Sequence, residues 1–169
     1  MYRSVLRHLR DGGQLADLGC GEEARFLRLA LPRVARGWGL DSAVDPLDEG
    51  RLTLVRADLT RRLPFGDDIL DQITCLSLLE HLDEPIPLLR ECFRCLRPGG
   101  RLIVATPSRL GVLVHELLRR LCIVAEPERR DFWMSPERLA GWLAHAGFEV
   151  ETAYRLGFGA DVLAVGLKP

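Results

Sequence analysis

Seven residues, Leu15-Ala16-Asp17-Leu18-Gly19-Cys20-Gly21, restrict this chain more than any other stretch. An apolar run ends in an acid and a glycine pair, and a helix-forming segment from Glu22 to Leu31 follows. A second apolar run, Trp38-Gly39-Leu40, closes on Asp41, twenty residues after Gly21. Strand, tight turn, helix and second strand at that spacing form a unit that binds a nucleoside-containing cofactor. Glycines let the backbone turn sharply and approach a ligand, and an acid closing the second strand can accept hydrogen bonds from ribose hydroxyls.

The run Gly19-Cys20-Gly21-Glu22-Glu23-Ala24 formally satisfies the dinucleotide fingerprint, which brings nicotinamide and flavin cofactors into consideration. Charge argues against them. A pyrophosphate would meet Glu22 and Glu23, with Asp17 just before the turn. Like charges within ~5 Å cost on the order of a few kcal/mol at an effective dielectric near 20. A ligand with a sulfonium, an ammonium and no phosphate suits this acidic ring, and S-adenosylmethionine is such a ligand. A nicotinamide-dependent oxidoreductase would also want a Tyr-Lys pair, and Lys168 is the only lysine.

Further segments follow in order: Arg56-Ala57-Asp58-Leu59, Leu63-Pro64-Phe65-Gly66-Asp67-Asp68, Asp71 through Leu82 with Glu80-His81, and Leu96-Arg97-Pro98-Gly99-Gly100-Arg101-Leu102. With the first motif they resemble the class I S-adenosylmethionine-dependent methyltransferases, in particular the small single-domain, type-11-like methyltransferase-domain group. The resemblance covers nearly the whole chain.

Periodicity gives the elements. Tyr2 to Arg10 reads as a short amphipathic helix, and strands are expected at 14–19, 35–40, 52–57, 71–78, 101–106, 148–154 and 161–167. A helix is expected from Pro87 to Leu96, ended by Pro98-Gly99-Gly100. Another runs from Pro136 to His145, with Ser135 as its N-cap. Strands alternating with helices imply an α/β fold with a mostly parallel sheet. The resemblance adds a doubly wound, Rossmann-like seven-stranded sheet in the order 3-2-1-4-5-7-6, strand 7 antiparallel, with helices on both faces. The segment Ser42 to Gly50, which contains Pro46, is too short for the usual crossover helix and leaves one face thinly covered.

In such a sheet a ligand lies beyond the carboxyl ends of the strands where the strand order reverses. The resemblance implies cofactor-binding roles for Asp17, Gly19, Cys20, Gly21, Asp41, Asp58, Leu59, Ser77 and Leu78. The glycines would line the amino-acid part, with Asp17 near its ammonium. Asp41 would hold the ribose diol, Asp58 and Leu59 the adenine, and the backbone at Ser77-Leu78 the methionine end. His81, which follows the fourth strand, is the candidate general base. Glu23 stands where the family usually has a third glycine. If it points inward it crowds the cofactor carboxylate, and the chain then reads instead as a cofactor-impaired binding or regulatory module.

The reaction expected is methyl transfer to a small or medium-sized acceptor with an oxygen or nitrogen nucleophile, leaving S-adenosylhomocysteine. A single domain over 1–169 is expected, with 108–134 as a lid or interface segment. A net charge of −1 offers no bulk attraction to nucleic acid or anionic membranes. No signal-type run and no long uncharged apolar segment is visible, which implies a soluble, cytoplasmic protein without membrane insertion; homodimerisation stays open. Five cysteines do not suggest a disulfide framework, and no metal site is expected. Cys92 and Cys95 have CxxC spacing but fall inside a helix, and His115-Glu116 lacks a second histidine because Arg119 stands in its place.

Overall fold

A computed structural model describes residues 1–111, 113 and 133–169. Its centre is set by β1 (Gln14–Leu18), whose parallel neighbours are β2 (Arg36–Asp41) and β5 (Leu70–Leu76). The chain leaves β1 towards one side through β2 and β4 (Leu52–Arg56), then returns to build β5 and β6 (Leu96–Pro107) on the other. Strand order therefore reverses between β1 and β5, and their carboxyl ends open a crevice there. Beyond β6 lies β8 (Asp161–Leu167), antiparallel to it, and then β7 (Glu149–Leu156).

The sequence predicts seven strands, and among the described residues the sheet has eight. Seven of them keep the expected relative order, with β8 as the antiparallel one. The addition is β3 (Leu47–Glu49), an antiparallel edge strand on β4. Gly50, at φ 58°, opens the two-residue connection that turns β3 into β4. Three residues are too few to show strand alternation in a sequence.

On one face α1 (Tyr2–His8) and α2 (Arg25–Ala30) cover the sheet. Val5, Phe26, Leu27 and Ala30 pack there against Leu15, Ile103 and Val165. In place of the missing crossover helix, the Ser42–Glu49 segment buries Val44 beside Leu52 and Leu54. On the other face α3 (Pro85–Cys95) and α4 (Pro136–His145) bury Leu88, Leu89, Leu139 and Leu143 against Ile73, Leu102 and Val104. A non-helical segment before β5 extends this layer through Leu59, Leu63 and Phe65. Phe65 meets Trp38 edge-on at 5.9 Å, and Arg94 of α3 pins the segment through Glu91, Asp67 and the Phe65 carbonyl.

Several helix bounds differ from expectation. The second helix begins at Arg25 rather than Glu22, because Ala24 takes a left-handed conformation and a turn occupies Gly21–Ala24. Strand β6 begins at Leu96 instead of residue 101. The Pro98-Gly99-Gly100 breaker is absorbed as an irregularity, with Leu70 facing Leu96 and Gln72 already facing Arg101. Ser135 caps α4 as expected, accepting from the Arg138 amide at 3.2 Å, with Pro136 in the first turn. Cys92 and Cys95 are buried thiols of α3, and the described residues contain no group able to hold a metal ion. Most of the 108–134 segment, including 112, 114–132 and the His115-Glu116 pair, lies outside the described residues. Among the described residues, no helix is long and apolar enough to cross a membrane.

Candidate active site

The Gly19–Gly21 loop is stapled to the end of β2. Gly19 and Cys20 both donate backbone hydrogen bonds to the Leu40 carbonyl, at 2.8 and 3.3 Å. Gly21 donates to Asp41 Oδ2 at 2.8 Å, and Ala43 donates to Asp41 Oδ1 at 2.9 Å. The twenty-residue spacing thus places the Asp41 carboxylate directly on the glycine loop, oriented by two amides. Each of its oxygens retains a further acceptor lone pair. Gly19 and Gly21 have φ of 71° and 69°, where an L side chain is strained. A Cβ on Gly19 would press on Leu78 at 3.2 Å, whereas one on Gly21 would enter open space.

Asp17 sits in mid-sheet register between Gly39 of β2 and Thr74 of β5. That register brings the Thr74 hydroxyl within 2.7 Å of Asp17 Oδ1, to which it donates. Only 2% of Asp17 is exposed. Burial pushes its carboxyl up to about 7; the Thr74 hydrogen bond opposes the rise and the nearby Asp41 adds to it. Cys20, half-buried beside both acids, has its thiol pushed up to about 12 by burial first and by their charge second. It is a protonated wall of the loop rather than a nucleophile.

Across the crevice, β5 is followed by Ser77 with a left-handed φ of 52°, and the Ser77 amide donates to the Ala105 carbonyl at 2.7 Å. This sharp exit turns Leu78 onto Gly19 and leads into the short helical turn Leu79–His81. Glu80 is buried, and Thr106 at the end of β6 donates to it at 2.9 Å. His81 is exposed. Asp58 follows β4 and is exposed too, with both oxygens engaged locally. The Thr60 amide and hydroxyl donate to one at 3.0 and 2.6 Å, and Arg61 to the other at 3.1 Å.

These elements enclose three neighbouring cavities at the carboxyl ends of the strands. One of about 240 Å³ is lined by Asp41, Asp58, Leu59, Leu78, His81 and Leu82, among others. A second, about 280 Å³, shares Leu59, Thr60, His81 and Leu82 and continues to Asp83, Glu84 and the start of α3. The third, about 350 Å³, lies beyond the glycine loop between Tyr2 of α1 and the Gly21–Arg25 turn. Asp41, Asp58, Leu59, Leu78 and His81 therefore share one cavity, while Cys20 and Gly21 line another. Asp17 lies buried in the sheet and Ser77 lines none of the three.

Glu23 does not point into the crevice. Its carboxylate pairs with Arg25 at 2.5 Å in solvent, and its carbonyl accepts from Arg28 at 3.0 Å. Residues that sequence reasoning did not bring to the site are Tyr2, Arg25, Thr74 and Thr106. Nothing local in the sequence marks Thr74 and Thr106 for these roles, since their partners, Asp17 and Glu80, lie far off in the chain.

Comparison with known proteins gives the family and the fold. Residues 3–153 match the family described as methyltransferase domain. The ubiquinone biosynthesis O-methyltransferase of Xylella fastidiosa (strain M23) is 32% identical over 162 residues, covering 83% of this chain and 63% of that protein. This chain thus spans less than two-thirds of that relative's length. Among solved structures, one from the complex between the Haloferax volcanii Trm112 methyltransferase activator and a methyltransferase superposes with a TM-score of 0.79. It has 21% identity and covers 99% of this chain and 88% of its own. The [4+2]-cyclase SpnF gives 0.76 at 17% identity, covering 99% and 80%. At these identities the structures show the fold alone.

Proposed function

This chain belongs to the methyltransferase-domain family, and from that premise we propose that it is an S-adenosylmethionine-dependent methyltransferase acting on a small-molecule acceptor. The observation that carries the proposal is the Asp41 carboxylate, fixed by the Gly21 and Ala43 amides against the glycine loop that follows β1, the strand next to the point where strand order reverses. A carboxylate held there can accept from both hydroxyls of a ribose.

The residues present fit the cofactor. Gly21 leaves its approach open, and Glu23, the acid that would crowd a carboxylate, is turned out to Arg25. Leu59, Leu78 and Leu82 supply an apolar wall beside Asp41, suited to a flat heterocycle. The Asp58 carboxylate is engaged by Thr60 and Arg61, so the backbone at Asp58-Leu59 is the better recognition edge for adenine there. Asp17 lies under the loop, where an ammonium would favour its ionised form.

When bound, S-adenosylmethionine supplies a methyl group on a positively charged sulfur, already activated for transfer. The chain's task is then placement and dryness of the site. Ser77-Leu78, held by β6 through the Ala105 carbonyl, forms a fixed wall against Gly19. His81, at the junction of two cavities, is placed to take a proton from an acceptor hydroxyl or amine. The name of the Xylella relative favours an oxygen nucleophile.

Calorimetric titration with S-adenosylhomocysteine beside NADH tests the reading. Micromolar affinity for the first alone is expected, reduced at least tenfold in Asp41→Ala. Unchanged affinity in that variant would place the ribose elsewhere. In the same series His81→Ala should keep the affinity and lower kcat; a parallel loss of affinity would make His81 a wall of the nucleoside cavity instead of the base.

A further inference from the structure

At the amino ends of the strands, on the face opposite the crevice, a polar clamp joins the loop after α1 to β5. Gln72, 1% exposed, accepts from the Arg10 amide at 2.7 Å and donates to the Arg10 carbonyl at 2.9 Å. Beside it the Asp71 carboxylate, 11% accessible, accepts from the Gln14 amide at 2.6 Å and pairs with Arg97. Gly13, at φ 71°, passes so close to this acid that a Cβ there would stand 2.6 Å from Asp71 Cγ. Although these parts are tightly joined, a cavity of about 350 Å³ stays open among them, and both Arg10 and Arg97 line it. The clamp uses little of either guanidinium. Arg10 is held through its backbone, and its side chain gives only Nη1 to the Gly99 carbonyl, at 3.0 Å. Arg97 gives Nη2 to Asp71. A guanidinium carries five N–H donors, so most of those on both arginines remain for a ligand.

Charge favours an anion in this cavity. Among the described residues no carboxylate pairs with Arg10, and Asp11, the other acid of the lining, is neutralised by Arg33 at 2.6 Å. With Asp71 matched to Arg97, one positive charge is left over. The crevice has the opposite character: its two cavities beside His81 are lined by Asp41, Asp58, Asp83 and Glu84 and by no Arg or Lys. The geometry points to a second ligand site at the amino ends of β1 and β5, for a small metabolite bearing an oxyanion, either a phosphate monoester or a polycarboxylate. Arg10 and Arg97 grip it with charge-assisted hydrogen bonds, and Asp71 competes with it for Arg97. The volume suits a ligand of that size. A bound anion would tie together the starts of two strands whose far ends bound the crevice, roughly 15–20 Å away at ~3.3 Å per residue.

The test is calorimetric titration and thermal melting of the whole chain with inorganic phosphate and with citrate, against sodium chloride at matched ionic strength. Saturable binding of millimolar affinity or better is expected for at least one probe, and the tighter of the two assigns the ligand to phosphate esters or to carboxylic acids. Arg10→Gln leaves the Gln72 bonds to the backbone in place, and it should weaken that probe at least fivefold. Asp71→Asn keeps an acceptor for the Gln14 amide and removes the competing charge, so it should strengthen the same probe severalfold. Opposite effects from two neighbouring substitutions are not what a loss of folding would produce. A rise in Tm that does not saturate, or that is equal in the wild type and both variants, would be a solvent effect of the salt and would overturn the site. Competition between phosphate and S-adenosylhomocysteine would overturn it as well, by placing the anion in the crevice. The site stands apart from the cofactor reading, so a protein that binds phosphate this way but no S-adenosylhomocysteine would sink that reading and leave this one.

Discussion

Asp17 shows how one residue can be legible in a sequence while its chemistry is not. An acid before Gly19 is a motif, but its hydroxyl partner, Thr74, arrives from 57 residues away through the β1–β5 register. The carboxyl moves from its ordinary 3.8 to about 7, so the folded protein holds this proton more tightly than the unfolded chain. Its contribution to stability is complete below pH 3.8 and is lost as pH rises through 7. Asp17→Asn removes this dependence. Relative to the wild type it should gain on the order of 2–3 kcal/mol between pH 5 and pH 8, measured by urea unfolding. A constant difference across that range would show that Asp17 is ionised throughout. On the proposed placement of the ligand ammonium beside Asp17, binding restores the charged form, so affinity for S-adenosylhomocysteine should fall below pH 7 in the wild type alone. Gly19, Gly21 and Asp41 were equally readable, because a turn and a strand end are local. The outward turn of Glu23 to Arg25 was not, since the direction in which a side chain leaves a turn is set by the backbone angles of that turn.

At the scale of elements, what could be read followed from where local chemistry decides the outcome. Ser135-Pro136 starts a helix by a side-chain cap and a preset φ, and the structure has both. Ser135→Ala should cost about 1 kcal/mol and lower Tm by roughly 2–4 °C. No change in a thermal melt would mean that α4 is held by Leu139 and Leu143 alone. The start of α2 was misread because Glu22 and Glu23 are good helix formers, while left-handed Ala24 postpones the helix to Arg25. The amino end of β6 was misread for the opposite reason. Proline and two glycines signal a break, yet pairing with Leu70 holds Leu96 in the sheet across it. At β6 a tertiary pairing overrode a sound local signal, and at α2 a local turn did.

For the whole molecule, the alternation of apolar runs and helical segments fixed the class of sheet, while β3 escaped notice at its margin. Placement in the sheet also sets local stability. Strand β1 is flanked on both sides and its Leu15–Leu18 are buried, whereas β3 is a three-residue edge with Asp48 and Glu49 exposed. Hydrogen exchange should therefore protect the Leu15–Leu18 amides up to the global unfolding limit and release Leu47–Glu49 orders of magnitude earlier. Comparable protection in the two would show that β3 opens only with the rest of the sheet. The order β6-β8-β7 reaches beyond the finished fold. β8 is made after both of its neighbours and must slide between them, contributing fully buried Val162, Leu163, Ala164 and Val165. A chain still on the ribosome thus carries β6 with an open edge and an unfilled core until β8 emerges. Until residues 161–167 are made, the open edge of β6 is free to pair wrongly, so this half of the sheet closes only once β8 is available.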